Sequence, residues 1–514
     1  MNLTKAIATI GGWTVLSRIT GLMREMLVAR YLGAGTVADA FFVAFRFPNM
    51  FRALFAEGAF NAAFVPLFSG KLEGEGAAAA RRFAEQCFAV LAAALLGFVI
   101  VIEIGMPWAI HILASGFDDT PGKIALAVEL SRITFPYLLF ISMVSLQSGV
   151  LNAMGRFAAA AGTPVLLNLT SMAVLVALVP YVETAGHAMA WGVFASGIVQ
   201  FLWLVFSVRR VGMGIRLVKP SLSPEVRLML KRVVPGAVGA GVYQVNLLIN
   251  TMIASQVADG AVSYLNYADR VNQLPLGVVG IAIGTALLPL LSRQLRAGET
   301  AAALESQNRA MEVGMLLTLP AATAFLVIAA PIIAVLFERG SFTPADTRAV
   351  APALMAFALG LPAYVLVKVL TPGFFARHDT RTPVKMALAT LLINVGLNLA
   401  LMGPLAHVGM ALSTAVAAWL NVALLAWTLK RRGYFAVDRR LLDRLWRIVA
   451  ACLVMAAVLA AGRWLLDSML AARGLRLPAL CLLVAAGGLS FAVAAVLTGA
   501  ARLGEFKTML RRRR

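Results

Sequence analysis

Apolar residues in this chain run almost unbroken for about 20 positions at a time, and short polar stretches separate the runs. As an α-helix, a run of that length crosses the ~30 Å hydrocarbon core of a bilayer. These windows predict fourteen helices, at 5–32, 37–68, 83–113, 124–153, 158–181, 187–208, 228–256, 260–292, 309–337, 348–376, 384–403, 407–429, 446–468 and 478–501. The first, second and eighth are the least apolar. No connecting loop is long enough for an independent soluble domain, so any chemistry has to sit in or between helices.

Composition agrees with that pattern. The 514 residues are 61% hydrophobic and 13% charged, with a mean hydropathy of +0.85. A soluble domain is roughly 45–50% apolar and about 25% charged. The net charge of +21 does not point to nucleic acid, because the basic residues sit between apolar runs and not on one polar face. Of the 45 Lys and Arg, 31 fall in alternate polar segments that include both termini, and five (Lys123, Arg339, Arg348, Arg473 and Arg476) fall in the others. Positive charge accumulates on the cytoplasmic side, so both termini are expected in the cytoplasm. Met1 to Ile10 does not read as a cleavable signal, since no long apolar stretch precedes Arg18.

The polar chemistry outside the charges is sparse. Cys87, Cys452 and Cys481 lie in apolar runs without metal-type spacing, and His111, His187, His378 and His407 are scattered near helix ends. Neither a metal nor a cofactor is expected from them.

An internal repeat organises the helices. Val65-Pro66-Leu67-Phe68-Ser69 closes the second run as Leu288-Pro289-Leu290-Leu291-Ser292 closes the eighth; Thr163-Pro164 opens the fifth as Thr382-Pro383 opens the eleventh. Copies an even number of helices apart keep one orientation, as in transporters built from parallel repeats. The expected architecture is all-α and polytopic, with two pseudo-symmetric six-helix lobes around a central cationic cavity. Residues 1–210 and 211–430 form the lobes, and 431–514 add two further helices and a basic tail.

Charges inside the predicted spans carry the functional information. The first helix holds Arg18, Arg24, Glu25 and Arg30; the second Asp39, Arg46, Arg52 and Glu57; the eighth Asp269 and Arg270. One arginine facing lipid costs on the order of 2.5–3.5 kcal/mol on insertion scales, so these groups must meet water, one another or a ligand. Asp39, Arg46 and Glu57 share a helical stripe, although Pro48 interrupts the phase. Pairing of Arg24 or Arg18 with Glu25, Arg46 with Asp39 and Arg270 with Asp269 is one reading. The other is an anion site, because five arginines (Arg18, Arg24, Arg46, Arg52 and Arg270) exceed four carboxylates and arginine grips phosphate bidentately.

The stretches Gly21-Leu22-Met23-Arg24-Glu25, Gly33-Ala34-Gly35, Asp39-Ala40-Phe41, Ala44-Phe45-Arg46-Phe47-Pro48-Asn49 and Arg52-Ala53-Leu54-Phe55-Ala56-Glu57-Gly58-Ala59-Phe60, with Tyr264 to Pro275, add a specific likeness. The chain resembles the lipid II flippase (MurJ, also called MviN) family of the multidrug/oligosaccharidyl-lipid/polysaccharide exporter superfamily along nearly its whole length. The resemblance implies movement of undecaprenyl-diphosphate-linked peptidoglycan precursor from the inner to the outer leaflet of the bacterial cytoplasmic membrane. It implies a cavity lined by Arg18, Arg24, Arg52 and Arg270, with Asp39, Asn49, Glu57 and Ser263 beside them. Glu25, Arg46, Asp269 and Gln273 would support these, Gln273 standing where some relatives carry an acid. Membrane lipids and the cell-wall synthesis machinery are the implied partners. A sodium site like that of some relatives would have Asn246, Asn250, Asn394, Asn398 and Thr414 but no carboxylate. Membrane potential or an ion gradient is left as the energy source.

Rival readings differ in their chemistry. A flippase for an O-antigen or capsule unit needs the same diphosphate recognition, and only the N-terminal motif separates it from the first reading. A cation-coupled multidrug exporter calls for a carboxylate-rich cavity, which the arginine excess opposes. A membrane glycosyltransferase needs a catalytic carboxylate in a sizeable outer loop, whereas Asp118, Asp119 and Asp346 read as loop and cap residues. A non-transporting scaffold would leave the arginines without a role.

Overall fold

The computed structural model describes residues 3–55 and 59–501. All regular structure among them is helical. In chain order the helices are α1 (Leu3–Leu32), α2 (Thr36–Phe55), α3 (Ala59–Gly74), α4 (Ala77–Leu113), α5 (Lys123–Thr134), α6 (Tyr137–Ala153), α7 (Phe157–Leu178) and α8 (Ala185–Arg210). There follow α9 (Pro224–Ser255), α10 (Ala261–Arg296), α11 (Thr300–Phe337), α12 (Pro344–Phe375), α13 (Arg381–Arg431), α14 (Arg439–Leu465), α15 (Asp467–Ala471) and α16 (Arg476–Leu497). Among the described residues, nine helical stretches are long and apolar enough to cross a membrane. Their outer faces are apolar, Trp108, Leu453 and Leu489 being largely exposed, the reverse of a water-soluble surface.

The apolar windows and the helices differ at two breaks. The window at 124–153 is two helices because Pro136 lacks the N–H that would carry α5 into α6. The eleventh and twelfth windows are one long helix, α13, broken at Ala406, whose φ of 48° is left-handed. Unbroken, 51 residues would reach ~76 Å, far beyond the bilayer core. After α1, Gly33 takes φ 68° and sits so close to Ser341 that a Cβ would lie 2.7 Å from its carbonyl oxygen. Asp346 proves to be a cap: Thr343 and Asp346 form a reciprocal capping box at the start of α12.

The chain forms two compact units, Met1–Ser263 with Arg339–Phe342, and Tyr264–Glu338 with Thr343–Arg514. The first unit is cored by phenylalanines at i, i+4 spacing, which places them on one helix face. Phe60, Phe64 and Phe68 stack in sequence along α3, and Phe83 of α4 joins at Phe64. Phe47 and Phe51 of α2 meet Phe135, and Phe98 of α4 closes that group. In this unit α9 packs on α2, α3 and α4. The second unit is cored by Leu366, Leu370 and Phe374 of α12, Leu425 and Leu429 of α13, and Ile448 and Cys452 of α14. At the turn into α13, Asp379 accepts from the Thr382 hydroxyl and backbone N–H and from Arg432. Those donors hold its carboxyl below the usual carboxylate range.

Arg463 of α14 has a specific task. Pro331 cannot donate to the carbonyl four residues before it, that of Val327, and α11 departs from helical geometry at Ile328. Arg463 of α14 donates from Nη1 to this orphaned oxygen at 3.2 Å. Arg463→Met should therefore lower stability by about 1 kcal/mol, the usual cost of an unmet carbonyl. The cost should shrink in a Pro331→Ala background, where the backbone N–H returns. Thermal unfolding of the four purified proteins measures the difference, and equal costs in both backgrounds would remove this role.

Candidate functional site

Three helices bring the singled-out residues, and each places them by its own logic. On α1, Arg24 is only 8% exposed. Its Nη2 is 2.7 Å from Oε1 of Glu25, and its guanidinium carbon stands 6.0 Å from the centre of the Phe45 ring. The expected Arg24–Glu25 pairing is thus present, while Arg24 Nε has no hydrogen-bond partner among the described residues. Arg18, about two turns earlier, is half-buried and meets no hydrogen-bonding or ionic partner among them. The arginine helix is held laterally by α7: Asn168 donates to the Ser17 carbonyl and to Thr20 Oγ1, both at 3.1 Å.

On α2 the charges part company. Asp39 does not pair with Arg46. It is 0% exposed and accepts four hydrogen bonds, from Lys123 Nζ and Gly260 N at 2.8 Å and from Ser263 N and Oγ at 2.7 Å. Lys123, itself 2% exposed, also reaches Asp259 at 2.5 Å and lies 4.1 Å from the centre of the Phe117 ring. Thr36 donates to the other oxygen of Asp259. A cation between two aspartates, with backbone and hydroxyl donors on the remaining lone pairs, satisfies charges that burial would otherwise penalise by several kcal/mol each. Arg46 turns instead to α9, donating to Thr251 Oγ1 at 3.0 Å and to the Leu247 carbonyl at 3.4 Å. Further along, Arg52 donates from Nε to Asn49 Oδ1 at 2.8 Å, one helical turn back. Glu57 lies outside the described residues.

On α10, Ser263 belongs to the Asp39 cluster. Beyond it, half-buried Asp269 accepts from the Gln273 amide one turn on, and half-buried Arg270 lies between them in sequence. The glutamine is therefore engaged as a donor, which an acid at this position, ionised, could not be. Among the amides considered for sodium, Asn394 and Asn398 of α13 are buried and bonded to each other at 3.4 Å, and Thr414 Oγ1 donates to the Met410 carbonyl.

The structure thus joins Arg24 with Glu25, Arg52 with Asn49, Asp39 with Ser263 and Asp269 with Gln273. Sequence reading missed Lys123 and Asp259, which look like ordinary loop residues. The available signal was that Lys123 is one of only five basic residues on the side otherwise poor in them. Lys123→Met should leave two unneutralised carboxylates and destabilise the protein by about 3–5 kcal/mol. Adding Asp39→Asn should return part of that loss. Unfolding midpoints of the single and double variants measure both effects, and a Lys123→Met protein as stable as the parent would refute the ion cluster's role.

Comparison with known proteins places these residues in a family. The family described as lipid II flippase MurJ matches residues 28–474, a span that includes Asp39, Arg52, Ser263 and Arg270 and begins just after Arg24. A probable lipid II flippase MurJ of Rhizobium meliloti (strain 1021) is 47% identical over 97% of this chain and 95% of its own length. The lipid II flippase MurJ of Burkholderia cenocepacia is 38% identical over 89% of this chain and 90% of its own. A solved lipid II flippase MurJ in an inward closed conformation superposes with a TM-score of 0.79 at 25% identity, covering 95% of this chain and 98% of that one. An inward-facing multidrug resistance MATE transporter shares the fold at TM-score 0.69 and 15% identity, over 81% of this chain and 94% of its own. The chain is a multi-pass membrane protein and belongs to the lipid II flippase MurJ family.

Proposed function

We propose that this protein is the flippase that carries lipid II from the inner to the outer leaflet of the cytoplasmic membrane, supplying the lipid-linked precursor for peptidoglycan synthesis. It is a transporter and not an enzyme. The observation that carries the reading is the set of arginines held within otherwise apolar helices, Arg24 above all, in a chain of this family. Arg18, Arg24, Arg52 and Arg270 receive the diphosphate and headgroup, and Asn49 steadies Arg52. Glu25 and Asp269 hold neighbouring cations in place, Gln273 steadies Asp269, and Arg46, Asp39 and Ser263 fix the helices that present the site.

The proposed architecture has fourteen spans with both termini in the cytoplasm. Nine helical stretches qualify by apolarity alone. Division of α13 at Ala406 makes a tenth, and α1, α2 with α3, α9 and α10 bring the total to fourteen. Of these additions α1, α2 and α10 carry candidate site residues, and polar content inside the span is what removes α1 from the apolar set. Two six-helix lobes, with α14 and α16 in addition, alternate access to the cavity while the polyprenyl tail stays in lipid. Lipid II and the surrounding lipids are the ligands, and the cell-wall synthesis machinery takes up the product.

Arginine suits this cargo because its guanidinium stays charged and matches a phosphate with two parallel N–H donors. Arg24→Ala and Arg270→Ala should each abolish appearance of lipid II in the outer leaflet while the protein still inserts. An externally added enzyme that cleaves only outward-facing precursor, applied after shut-off of the wild-type gene, reads the outcome. Undiminished outer-leaflet precursor in both variants would refute the cavity assignment.

Energy for the step comes from the membrane potential, with no cofactor. An inside-negative potential favours outward movement of an anion by about 2.3 kcal/mol per charge per 100 mV. Flipping in vesicles should accelerate as the interior is made more negative. A rate indifferent to a clamped potential would rule the potential out as the driver.

A further inference from the structure

Outside the residues assigned to transport, a second group of ligating side chains converges in the first unit, on the side poor in Lys and Arg. Glu129 of α5, Glu183 in the turn before α8 and His187 in the first turn of α8 each bring one ligating atom within 4.8 Å of the others. The His187 ring is oriented from behind, since its Nδ1 is 2.9 Å from Thr184 Oγ1. That contact leaves Nε2, across the ring, for the cluster. Such a fixed second nitrogen is the usual support of a metal-bound imidazole.

The spacing favours an ion over a simple contact. His187 Nε2 lies 3.4 Å from Glu129 Oε2, longer than the 2.7–2.9 Å typical of a charged N–H to carboxylate bond. Two ligands on one tetrahedral ion, each with a bond of about 2.0–2.1 Å, stand roughly 3.4 Å apart. Charge points the same way. Two carboxylates approach each other in a chain where acids are outnumbered 24 to 45, yet neither has a Lys or Arg partner among the described residues. Glu183 has no hydrogen-bond partner there at all.

We propose that Glu129, Glu183 and His187 form a divalent-cation site, of a chemistry that suits Zn²⁺, with water in the fourth position. One imidazole and two carboxylates on a borderline-soft ion is a common zinc ligand set. The two glutamates are exposed and His187 half-buried, so the ion enters directly from solvent. Bound there, it ties the start of α8 to α5, two helices that pack in the same unit. The site is independent of the arginines and asks nothing of the transport reading.

The test uses the full-length protein in detergent, with ZnCl₂ as probe. Calorimetric titration should show one saturable equivalent, and the unfolding midpoint should rise on addition. His187→Ala and Glu183→Gln should each weaken binding about tenfold or more. Co²⁺ in place of Zn²⁺ should give visible absorption bands of tetrahedral coordination in the parent and not in His187→Ala, a readout that a mere loss of stability does not mimic. Absence of saturable binding, or affinity and Co²⁺ spectra unchanged in the variants, would overturn the proposal and leave His187 as an ionic neighbour of Glu129.

Discussion

Inside a bilayer there is no water to complete a hydrogen bond, and every polar group in the spans must find its partner within the protein. That single constraint orders most of what is unusual here. It makes all regular structure among the described residues helical, because a helix satisfies its own backbone. It also makes each exception legible: where Pro331 frees the Val327 carbonyl, a side chain from another helix arrives to meet it. Arg463 would be a costly residue in lipid without that oxygen, and the kink in α11 would be costly without Arg463.

The same constraint separates two kinds of buried charge. Asp39 and Lys123 are closely matched: Asp39 accepts from Lys123, Gly260 and Ser263, and Lys123 donates to both Asp39 and Asp259. Such a cluster fixes geometry, and its removal costs stability. The arginines of α1 are less completely answered. Arg24 has one carboxylate and an aromatic ring, and Arg18 only its surroundings. Incomplete satisfaction is what a site for an anionic ligand requires, because a cation fully matched within the protein has nothing left to offer a phosphate. The two kinds sit on adjacent helices, so the rigid cluster anchors the element next to the adaptable one.

Much of the fold was legible in the chain. Most of the apolar windows overlap one helix each, because apolarity over 20 positions is a local, cumulative signal. Breaks were partly visible: the gap between the eleventh and twelfth windows falls at the α13 kink, whereas the window 124–153 ran through Pro136 unbroken. The pairing Arg24–Glu25 followed from adjacency, whereas adjacency matched Asp269 with Arg270 and the bond from Gln273, one turn on, was found only in the structure. Family likeness implied Asp39 and Ser263 for the cavity without pairing them, and Lys123 was not inferred at all. The 84 residues between Asp39 and Lys123, and the 58 between Glu129 and His187, leave no local trace in a sequence.

By itself, then, the sequence determined that this protein lives in a membrane, that apolar helices build it, and that arginine outweighs carboxylate within them. Those properties depend on hydrophobic free energy and charge summed along contiguous segments, and a segment carries them wherever it packs. Tertiary structure decided which charges are spent on holding helices together and which stay partly unanswered. That choice rests on contacts of a few ångströms between residues distant in the chain. It turned Asp39 from a presumed partner of Arg46 into the centre of a lysine-linked anchor, and sent Arg46 to the hydroxyl of Thr251.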